Sequence, residues 1–154
     1  MRFNIIPLVG VGPVLLGMRR EDVRVVMGES PREFRKSQDS VYTTDAFHDS
    51  AFQVFYSGAT PAVEFIELSR GGKVEAYLDG IDVFGSAADD LVAKIGKRAS
   101  FNPNDPELGN SYEFPELELA LWRPFAPCGD ADPDGRFFST VSIGVRGYFS
   151  ARAG

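Results

Sequence analysis

An α+β domain, two tandem helix-then-antiparallel-strands repeats sharing one antiparallel sheet with the helices on one face, is what this sequence predicts, and three observations carry it. Two short helical segments, each bracketed by glycines, stand at a constant offset: Gly85 follows Gly17, and Gly96 follows Gly28, by the same 68 positions. Each is followed by short runs rich in aromatic and β-branched residues, separated by turn clusters. No crossover helix separates consecutive runs, so antiparallel pairing is expected, with helices covering one side.

The helices come first. Between Leu16 and Gly28, Val23, Val26 and Met27 share a face at helical spacing; between Phe84 and Gly96, Ala88, Leu91, Val92 and Ile95 do. Glu21-Asp22 and Asp89-Asp90 fall in the first turns, where the helix dipole favours acids, and Ser86 with Asp89 resembles a capping box. A glycine ends each helix. The strands expected after the first helix are Val41 to Thr44, Phe52 to Tyr56 and Ala62 to Leu68; Lys73 to Leu78 leads into the second half; and Ser111 to Phe114, Leu117 to Trp122 and Phe137 to Val145 follow the second. The whole chain, 1–154, reads as one domain of two repeats, about 10–72 and 73–149.

Composition narrows the function. With 154 residues, 44% apolar and 12% aromatic, there is ample material for a core without disulfides or metal, and disorder is excluded. Lys plus Arg number 16 against 22 Asp plus Glu, for a net charge of −6, the wrong sign for a nucleic-acid partner. The excess lies in the second half, where residues 78–154 hold 7 basic and 12 acidic side chains. The opening residues Met1 to Gly10 lack an apolar run with a small-residue cleavage site, and no stretch approaches the ~20 apolar residues of a membrane span. A soluble, cytoplasmic protein with no membrane partner is expected.

The segment Gly12-Pro13-Val14-Leu15-Leu16-Gly17-Met18, the short helix after it, and the exit Val26-Met27-Gly28-Glu29-Ser30-Pro31 resemble the helix signature of the β-lactamase inhibitory protein superfamily, also seen in small outer-membrane assembly lipoproteins. The second copy lacks the Met and the exit proline. The resemblance implies tandem helix-plus-sheet repeats whose sheet surface binds other proteins. The layout is also similar to that of small bacterial immunity proteins, cytoplasmic inhibitors of toxins.

Catalytic chemistry is thinly supplied. His48 is the only histidine and sits in Asp45-Ala46-Phe47-His48-Asp49-Ser50, framed by no catalytic motif, as a solvated turn residue beside carboxylates would be. Cys128, the lone cysteine, has no basic neighbour in sequence to activate it. Gly10-Val11-Gly12 is a fragment of a dinucleotide fingerprint with Leu15 at its sixth position. Asp130-Ala131-Asp132-Pro133-Asp134-Gly135 begins like a calcium loop, but its twelfth position is Val141 where a bidentate Glu is needed, and a turn between strands accounts for the same residues. No catalytic residue, cofactor or metal is expected.

Alternation then sorts the strands into two faces. With Leu117, Leu119 and Leu121 turned under the helices, Glu116, Glu118 and Trp122 point away. Glu75 and Tyr77 do so if Ala76 and Leu78 are core, Gln53 and Phe55 if Phe52, Val54 and Tyr56 are, and Phe138, Thr140 and Ser142 complete the outward set. The candidate partner-binding residues are therefore Phe55, Glu75, Tyr77, Glu116, Glu118, Trp122 and Phe138, an acidic and aromatic face suited to a basic protein. The leading expectation is a non-enzymatic protein-binding or inhibitory module, such as an immunity protein that neutralises a basic toxin. The alternatives are a small-molecule-binding or enzymatic domain with a pocket between sheet and helices, and a homodimer through the open sheet face.

Overall fold

The computed structural model describes residues 1–124 and 133–149. The chain opens with β1 (Arg2–Ile6), β2 (Gly10–Val11), β3 (Val14–Leu15) and α1 (Arg20–Met27), then runs through β4 (Arg32–Phe34), β5 (Thr44–Phe47), β6 (Phe52–Ser57) and β7 (Ala62–Ser69). The second half holds β8 (Glu75–Leu78), β9 (Ile81–Asp82), α2 (Ala88–Ile95) and β10 (Ser111–Phe114). A 3-10 turn (Pro115–Leu117), β11 (Leu119–Trp122), the helical turn α3 (Pro133–Arg136) and β12 (Thr140–Gly144) complete it.

The α+β class holds, but the strands form two sheets, not one. The smaller has the order β3-β2-β1-β8-β9 and the larger β10-β11-β12-β7-β6-β5-β4. The larger is antiparallel throughout. In the smaller, β1 and β8 pair in parallel, from Arg2 with Glu75 to Ile5 with Leu78. A parallel pair needs a long connection, and here everything from β2 to β7 supplies it. The absence of crossover helices therefore did not exclude a parallel pair, because the connection is itself most of a half-domain.

The α1 and α2 spans correspond end for end at the offset of 68, Arg20 with Ala88 and Met27 with Ile95. Each follows a two-strand hairpin, β2–β3 or β8–β9, and precedes a three-strand meander, β5-β6-β7 or β10-β11-β12. The two meanders meet through β7 and β12, so the larger sheet reads alike from either side of that seam until β4 is reached. Gly28 ends α1 at φ 71°, a left-handed conformation costly to a residue with a Cβ, and its N–H closes on the Arg24 carbonyl at 3.3 Å. Ser86 does not cap α2: Ala87 holds that position, and the Ser86 hydroxyl donates instead to the Asp82 carbonyl at 2.6 Å.

One apolar core joins the layers. Across the larger sheet, directly paired residues form a continuous row, Tyr112, Leu121, Val141, Leu68, Phe52 and Phe47. A second parallel row runs Phe114, Leu119, Ile143, Ile66, Val54 and Asp45. Phe3 and Ile5 of β1, Val23 of α1, and Leu91 and Ile95 of α2 are buried in the same cluster, and the Phe3 ring meets Phe52 edge-on at 4.9 Å. Burial of each such side chain stabilises by about 1.5–3 kcal/mol.

Candidate functional site

Because side chains alternate, the residues between those two rows point to the opposite side of the larger sheet. One row there spans all seven strands through direct pairs: Glu113, Ala120, Ser142, Glu67, Gln53, Ala46 and Arg32. It is small or polar at every position, unlike its apolar neighbours. On one flank lie Ser111, Trp122, Thr140 and Ser69, again paired in order. On the other lie the pair Phe55 and Phe65, with Gly144 opposite Phe65. This is the open face of the sheet, turned away from the core, acidic at Glu113 and Glu67 and aromatic on both flanks; Arg32 and Trp122 on it are exposed, whereas Ala46, Ser142 and Phe65 are buried.

Glycine at 144 shapes the aromatic flank. A Cβ there would lie 2.6 Å from the Tyr148 Cβ, and the space it leaves lets the Tyr148 ring stack on Phe65 with centroids 4.7 Å apart and planes 19° apart. Phe55 meets Phe65 edge-on at 5.2 Å. The register slips between Phe55 and Tyr56, since Phe55 pairs with Phe65 while Tyr56 pairs with Val63. Glu64 is thus the extra residue of a bulge, a device that re-aims side chains. Beside it opens a cleft of about 280 Å³ lined by Lys36, Val41, Tyr42, Phe55, Glu64 and Tyr148, among others. Partial burial holds the Glu67 carboxyl above its ordinary range, and the Lys36 ammonium opposes that shift.

Beneath the sheet, α1 is fastened by one buried acid. Asp45 is fully buried in an otherwise apolar row. Arg24 donates to both its oxygens, Nε to Oδ2 at 3.0 Å and an Nη to Oδ1 at 2.8 Å, and the Tyr56 hydroxyl donates at 2.8 Å. Arg20 lies over the Tyr56 ring at 4.4 Å and donates to the Thr43 carbonyl. Burial, then the hydrogen bond to Asp45, push the Tyr56 phenol far above its usual range, so it remains a donor at every ordinary pH. The arrangement positions a helix, with the carboxylate and the phenol buried and Arg24 reaching solvent.

The expected contact residues scatter. Trp122 and Phe55 lie on the open face, Trp122 being 39% exposed. Glu75 and Tyr77 do alternate outward, Ala76 and Leu78 being buried, but they belong to the smaller sheet, where Arg2 stacks on the Tyr77 ring at 4.0 Å. Glu116 is exposed on the 3-10 turn, outside any strand. Two assignments are overturned. Phe138 is fully buried, against Tyr112 at 5.9 Å, because it precedes β12 and escapes its alternation. Glu118 is buried because the turn breaks the strand before it and sets it at φ 48°; its carboxylate accepts the N–H groups of Gly147 at 3.0 Å and Phe149 at 2.6 Å.

His48 meets Glu29, which accepts its backbone N–H at 2.9 Å and lies 3.4 Å from Nδ1, and its ring sits 5.7 Å from Phe3. Cys128 and positions 130–132 of the aspartate-rich segment lie outside the described residues, and its last three residues, Pro133 to Gly135, fall in the helical turn α3 ahead of β12. Among the described residues no three His, Cys, Asp or Glu side chains are grouped to hold a metal ion, and no helix is long and apolar enough to cross a membrane. Sequence reasoning missed Glu67, Glu113, Phe65 and Lys36. The first two were legible as outward positions of β7 and β10; the bulge hid Phe65, and only folding brings Lys36 to the sheet. No family model, no characterised protein and no solved structure matches this chain.

Proposed function

We propose that this chain is a non-enzymatic protein-binding module whose contact surface is the open face of the seven-stranded sheet, and that its partner is a basic protein it inhibits, as an immunity protein does a toxin. The observation that carries this reading is the seven-residue row from Glu113 to Arg32: small or polar at every strand, holding two carboxylates near its centre and one end, and flanked by Trp122 on one side and, on the other, by Phe55 packed against the buried Phe65. Small residues let a partner approach the sheet, rigid aromatics anchor it, and carboxylates on a chain of net charge −6 steer a basic one. The resemblance of the first helix to the β-lactamase inhibitory protein signature points the same way.

The test places a photo-cross-linking residue at Ala120 on the open face and, separately, at Asn4 on the exposed side of the smaller sheet. A partner captured from Ala120 and lost from Asn4 supports the reading; capture from Asn4 alone refutes it. With the partner in hand, Trp122→Ala weakens the complex by roughly 2 kcal/mol, mainly through faster dissociation.

A further inference from the structure

The aromatic flank of the open face already holds a cation of the chain's own. Lys36 lies in the connection between β4 and β5. Its Nζ stands 5.0 Å from the centroid of Phe55 and 5.7 Å from that of Phe65. The rings are set in place by the cross-strand pair and by Tyr148 stacking on Phe65. Glu67 follows Phe65 on the same side of β7, Phe65 being buried under its neighbours and the partly exposed Phe55 forming the accessible wall, and Glu64 lines the adjoining cleft. Ring faces carry negative charge density, so two rings and two carboxylates in a half-enclosed corner make a receptor for an ammonium group.

Resting on the binding-module reading, we propose that this corner is a recognition site for a lysine side chain of the partner, which Lys36 occupies in the free chain and vacates on binding. The exchange replaces one ammonium by another, so the corner is never left with its carboxylates bare. The connection that carries Lys36 is pinned within itself, Arg35 donating to the Ser40 carbonyl at 2.5 Å and the Ser37 N–H to the Ser40 hydroxyl at 3.1 Å, and to the β6–β7 turn, Tyr42 donating to the Gly58 carbonyl at 2.6 Å. Vacating the corner therefore takes rotation of the Lys36 side chain and no movement of the backbone. Because Lys36 competes for the corner, the apparent affinity for a partner lysine is the intrinsic affinity multiplied by the fraction of chains in which the corner is open.

The probe is Nα-acetyl-lysine N-methylamide, titrated while the aromatic carbon and proton resonances of Phe55, Phe65 and Tyr148 are followed. Lys36→Ala gives saturable shifts at those rings. The wild type binds at least about threefold more weakly, the size of one exposed cation–π contact, and Glu67→Gln in the Lys36→Ala background weakens binding by a similar factor. Circular dichroism confirms that each variant is folded. The neutral norleucine analogue gives no saturable shift, and the arginine analogue binds more weakly than lysine. No saturable shift in Lys36→Ala, equal binding of the norleucine or arginine analogue, or a wild type as tight as Lys36→Ala overturns the proposal. Failure here with cross-linking retained at Ala120 removes the lysine site alone; loss of the Ala120 cross-link removes the sheet-face reading itself.

Discussion

Replacing Asp45 by alanine tests whether the buried acid fastens α1 to the sheet. Asp45 is fully buried, while Arg24, its bidentate partner, is 35% exposed and also lies 3.4 Å from Glu33. Breaking a fully buried pair costs about 3–5 kcal/mol, but Arg24 can turn to solvent and to Glu33, which brings the expected cost down to roughly 2–3 kcal/mol. Most of it comes from the Tyr56 hydroxyl and from Arg20, whose Nε lies 3.8 Å from the Asp45 carboxylate, since both stay largely buried without it. Tyr56→Phe removes only one hydrogen bond and leaves the ion pair, so about 1 kcal/mol is expected. The double variant costs less than the sum, because both changes delete the same bond. Urea unfolding followed by circular dichroism reads these values, and thermal unfolding of Asp45→Ala falls by roughly 5–10 °C. A cost below about 0.5 kcal/mol, the level of an ordinary surface change, or strict additivity with Tyr56→Phe, would refute the reasoning.

Three further outcomes are expected. Phe138→Ala, at a position alternation assigned to the surface, destabilises by about 3–5 kcal/mol in urea, as a fully buried aromatic should. Gly144→Ala costs about 1–3 kcal/mol and abolishes the ring-current shifts between Tyr148 and Phe65, because the new Cβ occupies the Tyr148 position. Glu67→Gln stabilises at neutral pH and is neutral below the ordinary carboxylate range: burial raises the Glu67 pKa in the folded state, so the wild type loses stability as pH rises through that raised value, and the amide does not. A stability profile of Glu67→Gln that parallels the wild type across this range would remove Glu67 as the cause.

Local rules reached far in this chain. The glycine-bracketed segments placed both helices within three residues of their ends, and Ser111 to Phe114 was placed without error. The alternation of Phe52, Val54 and Tyr56 sorted β6 correctly. Each of these follows from one segment's own periodicity and end residues. The misplacements share a different cause. Glu118 and Phe138 sit just outside strands, in turns that reset which way the next side chain points. A strand was expected over Val41 to Thr44, with Asp45 to Phe47 in the loop after it, and the strand instead runs from Thr44 to Phe47, because the apolar Val41 and Tyr42 mimic a strand while only pairing with β4 and β6 decides where the ladder lies.

What the sequence by itself determined was the α+β class, the two helices at their offset of 68 and the apolar rows of the individual strands, because periodicity is a property of neighbouring residues. What only the tertiary structure decided was the division into two sheets, the parallel pairing of β1 with β8, and the makeup of the open face. Sheet membership depends on which distant backbone satisfies each N–H and C=O, and register follows from that choice. Glu75 and Tyr77 alternate as outward residues do, yet hydrogen bonding to β1 carries them to another sheet, while Glu67, Phe65 and Lys36 meet at one corner only because β4, β6 and β7 are brought together.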